Sequence, residues 1–148
     1  MLVVVVFGIA AVMIFPAVND LNEDIQADND FNAQSKGVVS NLNNNFPAWV
    51  DGAFILIIVL ITIVLIVSAL FVDTSPGFFV AAIILFLIVL LMGGFLSNAN
   101  EELLSDVALG NVQNVFPVTF WVLTHLIHVF VAEFILLSIT LYGKSRIE

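Results

Sequence analysis

The sequence predicts an all-α integral membrane protein with three to four transmembrane helices organised around a central tight helical hairpin. Two long runs carry this. Ala53 to Val72 (AFILIIVLITIVLIVSALFV) has no charge and only Thr62 and Ser68 as polar side chains, and Gly77 to Leu96 (GFFVAAIILFLIVLLMGGFL) has no polar side chain at all. At a helical rise of about 1.5 Å per residue, each run covers about 30 Å, the thickness of a bilayer's hydrocarbon core. The composition agrees, with 61% of the 148 residues hydrophobic, 10% charged and a mean hydropathy of +1.17. In soluble domains about a quarter of residues are charged. Strands are excluded, because lipid cannot satisfy an open sheet edge and the segments are too few to close a barrel.

Composition also narrows the function classes. Twelve acidic residues against three basic ones give a net charge of -9, so a basic surface for direct nucleic-acid binding is absent. The lack of cysteine removes disulfides, thiolate metal sites and cysteine nucleophiles. No hydrolase elbow, phosphate loop or HExxH motif occurs, and the chain is expected to be a non-enzyme without a cofactor.

Residues 1–148 are expected to form a single membrane domain. The first span covers about 2–18. Its apolar run, Leu2 to Phe15 extended by Ala17 and Val18, reaches about 25 Å as a helix, marginally enough to cross. No Lys or Arg precedes it and no small-residue cleavage site follows, which favours a retained anchor over a removed signal. Gly8 and Ala11 share a face that admits close approach of another helix.

Residues 19–46 are expected to form a polar loop. It carries Asp20, Glu23, Asp24, Asp28, Asp30, eight asparagines and the single base Lys36. Val18, Leu21 and Ile25 permit two helical turns past Pro16 before the asparagines break them. Asp28 to Asn32 superficially resembles the start of a calcium loop. Ala33 stands where an EF-hand needs glycine and Val39 where it needs a bidentate glutamate, so a solvated acidic loop is expected instead.

The second span covers about 47–72. Pro47 suits a first helical turn, Trp49 suits headgroup level, and Asp51 sits near the positive pole of its own helix. In the turn, Ser75 is placed to N-cap and Pro76 to occupy the first helical position, with Asp73 and Thr74 bonding locally. The third span covers about 76–97. Gly77 and Ala81, opposite Ser68 and Ala69, are expected to bring the hairpin's backbones together, and Gly93-Gly94 to form a packing notch.

Asn100, Glu101 and Glu102, followed by Leu103, Leu104, Val107 and Ala108, predict an amphipathic surface helix over 101–109, ended by Gly110. The last span covers about 117–142. Trp121, Tyr142, Lys144 and Arg146 join Trp49 as interface anchors. Phe-Pro occurs three times, at Phe15-Pro16, Phe46-Pro47 and Phe116-Pro117, and is taken as shared boundary chemistry. In a cell membrane the positive-inside rule places Lys144 and Arg146, both termini and the Asp73 turn in the cytoplasm. Nine of the 12 acidic residues then lie outside.

Ionisable groups at membrane depth occur only in the last span, as His125, His128 and Glu133, and such groups call for a functional hypothesis. His125 and His128 share a face at i and i+3, but Glu133 lies about 80° and 140° round the helix from them, so the three cannot ligate one ion. The expectation is polar contact between helices, with the histidines hydrogen-bonded to neighbours and Glu133 protonated or paired in a bundle interior. Two functions fit: a structural subunit, or a holin-like or ion- or proton-conducting pore. A pore needs a hydrophilic stripe, which Thr119, His125, His128 and Glu133 supply only if several copies assemble.

The chain resembles, in style and over its whole length, the small multi-spanning proteins of the internal membranes of tailless, lipid-containing bacteriophages. The shared traits are a short cysteine-free Val/Ile/Phe-rich chain, acidic asparagine-rich loops and a short basic tail, here Gly143-Lys144-Ser145-Arg146. The resemblance implies a scaffold in many copies, in a virion membrane or host inner membrane. Its partners would be lipids and other membrane or capsid proteins.

Overall fold

The computed structural model describes residues 2–72, 75–105 and 112–145. Asp73 and Thr74 of the expected turn, residues 106–111 of the expected surface helix and its end, and Arg146 lie outside the described residues, as does the side chain of Lys144. The helices are α1 (Leu2–Ala27), α2 (Ala33–Phe71), α3 (Pro76–Leu104), α4 (Val112–Val115), α5 (Pro117–Thr124) and α6 (Leu126–Ser145). Among the described residues there is no strand. Four of the helices, α1, α2, α3 and α6, are long and apolar enough to cross a membrane.

The polar loop expected over 19–46 is helical except for residues 28–32. Asparagine disfavours helix because it competes for backbone groups, but here the polar side chains serve one another. Asn19 donates to Glu23 at 2.8 Å, and Asn45 to the Asn41 carbonyl at 2.7 Å. Between the helices Asn43 donates to Asn19 at 3.1 Å, Gln26 to the Lys36 carbonyl at 2.9 Å, and Lys36 to the Gln26 carbonyl at 2.8 Å. The last contact also puts a cation at the C-terminal end of α1, where the helix dipole favours it. The connection is a tight one: Asp28 accepts from the Asp30 N–H, and Asn32 N-caps α2 by accepting from the Ser35 N–H. The residues that looked like a calcium loop are turn and cap.

α1 and α2 run antiparallel in one register. Phe7 stacks near Phe54 with centroids 6.5 Å apart, and Phe15 near Phe46 at 6.0 Å. Continuing that register brings Leu2 level with Val59 and Leu60. The apolar run of α1 therefore lies beside the stretch of α2 that holds Asn43, Asn44, Asn45 and Asp51. Pro16 and Pro47, expected at helix boundaries, are inside α1 and α2. The three Phe-Pro phenylalanines meet: Phe116 approaches Phe15 edge-on at 5.2 Å and Phe46 at 6.4 Å.

The hairpin expected between α2 and α3 is not closely packed. Among the described residues α6 packs against both helices, while α2 and α3 are not principal partners of each other. Phe86 of α3 stacks on Phe134 of α6 at 3.8 Å, and Thr62 of α2 faces Glu133 of α6 at 3.4 Å. Gly77 and Ala81 are accordingly exposed, and among the described residues a Cβ on Gly77 would meet only Ser75 Oγ, at 4.0 Å. Ser75 does cap α3, accepting from the Phe78 N–H at 3.2 Å. The expected surface helix is not separate: Glu101 to Leu104 form the last turn of α3.

Smallness matters at two other glycines. A Cβ on Gly93 would lie 2.7 Å from the Phe130 ring, and one on Gly8 would lie 2.7 Å from Phe54 and 3.1 Å from Leu123. Gly94 has only ordinary contact, with Ile127 at 3.5 Å. The core, with Val4, Val12, Phe54, Phe116, Leu123 and Leu126 nearly sealed, gathers where α1, α2 and α5 meet. At the other end the apolar helices expose most of their surface, as Leu70, Phe71 and Ile139 do.

Candidate functional site

The chemistry-bearing side chains fall into two groups, both organised by a break in the last span. The span expected over 117–142 divides at His125, whose backbone (φ -122°, ψ 33°) leaves the helix between α5 and α6. Local polar groups compete for the backbone there. The Thr124 hydroxyl donates to the Phe120 carbonyl at 2.8 Å, and His125 Nδ1 lies 2.9 Å from the Trp121 carbonyl. The His125 N–H bonds the Val122 carbonyl, three residues back. From α3, the Ser97 hydroxyl donates to the Thr124 carbonyl and Asn100 Nδ2 to the Leu123 carbonyl at 3.1 Å. Two polar residues of α3 thus satisfy backbone at the break, where an interrupted helix leaves acceptors to be paired.

Above the break, Asp51 of α2 is buried against the start of α5. Its Oδ1 accepts from the Thr119 N–H at 3.0 Å and the Thr119 hydroxyl at 2.6 Å, and its Oδ2 from the Val118 N–H at 3.1 Å. The N-cap position of α5 is Phe116, which offers no side-chain acceptor. Asp51 is therefore a cap supplied from another helix, and not a wet residue at the start of its own. Thr119 is fully enclosed, which removes it from any outward stripe with His125, His128 and Glu133.

Below the break lies the second group. His125 stacks on the Trp121 ring with centroids 5.0 Å apart, and its own ring centroid is 5.5 Å from that of His128. His128 is exposed and lines a groove of about 260 Å³ with Ile58, Thr62, Trp121 and Glu133. Glu133 also lines a second cleft, of about 300 Å³, on the α3 side. The Thr62 hydroxyl bonds the Ile58 carbonyl at 2.9 Å, so its 3.4 Å approach to Glu133 Oε1 is the weaker contact. Among the described residues no cluster of three His, Asp or Glu side chains is placed to hold a metal.

Trp49 and Trp121 lie at the same end, since their near neighbours Asp51 and Thr119 are bonded, and both are exposed. Tyr142 is exposed at the opposite end of the last span. The sequence singles out His125, His128 and Glu133; it gives no direct sign of Asp51 as a cap, or of Ser97 and Asn100 as partners of the break. Their one signal was position: each is a small polar residue just outside a long apolar run.

No family model matches the chain, and neither a curated protein nor a solved structure is significantly similar to it.

Proposed function

We propose that the chain is a non-enzymatic, multi-pass structural membrane protein, a subunit or scaffold of a larger membrane assembly. In this arrangement α2, α3 and α6 share one apolar section about 30 Å deep, bounded by Ala53 and Trp121 at one face and by Val72 and Tyr142 at the other. α1 is staggered against that section and pairs with the polar half of α2. The paired helices form an arm that stands about 30 Å beyond the Ala53 level, since 20 residues of α2 separate Ala33 from Ala53. By the positive-inside rule the arm lies outside and the Lys144 end in the cytoplasm.

The arm's surface supports the scaffold function. Asp20, Glu23, Asp24, Asp28 and Asp30 are all exposed, and beside them Leu21, Val38 and Leu42 are 56%, 63% and 45% exposed. Exposed apolar side chains on an element that leaves the membrane suit a surface that another protein covers. The resemblance to phage internal-membrane proteins extends the proposal to a virion, with the arm bridging lipid and capsid shell.

Purification in a gentle detergent, followed by mass spectrometry of what is retained, tests the proposal against Leu21→Lys and Leu42→Lys variants. The expected result is a stoichiometric protein partner held by the parent chain and lost from the variants, with helical content unchanged. A homo-oligomer alone, or partners indifferent to both substitutions, overturns it. A conducting oligomer is the alternative, favoured by one observation: His128 and Glu133 line the same groove. Ion flux in vesicles that falls with His128→Ala supports conduction, and no flux at any pH removes it.

A further inference from the structure

We propose that the cleft between α3 and α6 binds a lipophilic organic cation, held by the charge of Glu133 and the rings of Phe86, Phe130 and Phe134. The cleft, of about 300 Å³, is completed by Leu65 of α2 and Leu137 of α6, and among the described residues Glu133 is the one titratable side chain in its lining. That volume is at the lower end of the range for small-molecule sites. Leu85, which also lines it, is 65% exposed, so the cleft opens sideways onto the apolar surface and is filled from the lipid phase.

The donor set selects the ligand. A hydrated metal ion needs several oxygen ligands, and the walls offer one carboxylate. An alkyl or aryl onium ion sheds its weakly held water readily, gains from the aromatic surface that the Phe86–Phe134 stack, its inner faces closed on each other at 3.8 Å, leaves toward the cleft, and packs its apolar substituents against the leucines. Around Glu133, α2 contributes the Thr62 hydroxyl, already bonded to Ile58, α3 contributes no titratable group, and α6 contributes His128 in the neighbouring groove. The carboxylate is left without a strong partner on the cleft side.

The test uses the full chain in dodecylmaltoside micelles, with tetraphenylphosphonium as the probe and triphenylphosphine oxide as its neutral counterpart, both followed by equilibrium dialysis. The expected result is saturable binding of one cation per chain, weakened roughly tenfold or more in Glu133→Gln and severalfold in Phe134→Ala, as loss of a desolvated charge and of a ring face implies. Glu101→Gln, outside the cleft, leaves it unchanged. Ala82→Trp, which fills the cleft from α3 without touching the charge, abolishes it while circular dichroism stays that of the parent. Absence of saturable binding, equal binding of the neutral compound, or binding indifferent to Glu133→Gln or Ala82→Trp overturns the proposal, the middle two marking the cleft as a seat for lipid tails. This outcome is independent of whether the arm recruits a partner.

Discussion

Asp51 and Thr119, on different helices and 68 residues apart, form the most heavily satisfied polar contact among the described residues. One carboxylate oxygen accepts both the N–H and the hydroxyl of Thr119, at 3.0 and 2.6 Å, while the other accepts the Val118 N–H. Helix N-termini leave their first N–H groups unpaired and carry partial positive charge. A buried carboxylate aimed at two of them answers both needs, and it fixes α5 against α2 at one height. The Phe15, Phe46 and Phe116 cluster closes over the same junction.

Replacing Asp51 by Ala leaves the buried N–H and hydroxyl of Thr119 and the half-buried Val118 N–H without their acceptor. The expected loss is about 2–3 kcal/mol, within the range for charged hydrogen bonds and N-caps. Asp51→Asn keeps one acceptor oxygen and falls between Ala and the parent. Thermal unfolding in detergent, followed by circular dichroism, measures the order, and equal stability of all three chains rejects the capping role.

The glycines separate by what surrounds them. Gly93→Ala drives a methyl into the Phe130 ring, 2.7 Å away, and is expected to cost about 1–3 kcal/mol by overpacking. Phe130→Leu made alongside it relieves the clash, so the double variant loses less than the sum of the two. Gly77→Ala, which among the described residues meets only Ser75 Oγ at 4.0 Å, stabilises by about 0.4–1 kcal/mol through the unfolded chain. Both values come from one melting series, and destabilisation by Gly77→Ala restores the tightly packed hairpin.

Asn100→Leu removes the donor that pairs the Leu123 carbonyl beside the α5–α6 break. A buried carbonyl left unpaired costs about 1–3 kcal/mol. The cost is local, so hydrogen exchange of amides around His125 accelerates while those of the α1–α2 arm do not. Uniform acceleration argues against a role confined to the break.

The helical class and the apolar runs were legible because hydrophobicity over 20 residues is a one-dimensional signal. Ser75 as a cap was legible for the same reason, since its partner Phe78 is three residues on. What stayed hidden was which helices touch. A four-residue turn implies antiparallel neighbours, but not that α6 becomes the principal partner of both. Gly77 and Gly93 look alike in sequence, and only the placement of Phe130 distinguishes them. Propensity misleads at the asparagines of residues 19–45, because the partners across the α1–α2 pair, Asn19 with Asn43 and Gln26 with Lys36, lie 24 and 10 residues apart.

The stagger of α1 makes a prediction that the apolar run of residues 2–18 alone reverses. In the register set by Phe7 with Phe54 and Phe15 with Phe46, Ile14 lies level with Pro47, six residues or about 9 Å outside the Ala53 level. Were residues 2–18 a crossing in their own right, Ile14 would sit about 6 Å inside the hydrocarbon. The chain has no cysteine, so single substitutions report without background. Ile14 and Val3 are 53% and 70% exposed, hence accessible to whatever surrounds each. A membrane-impermeant maleimide is expected to label Ile14→Cys and the turn control Asn29→Cys in intact cells or vesicles, and to leave Val3→Cys, about 8 Å inside the Ala53 level, unmodified. Labelling of Asn29→Cys alone would place Ile14 in lipid, making α1 a crossing and shortening the arm to its polar half.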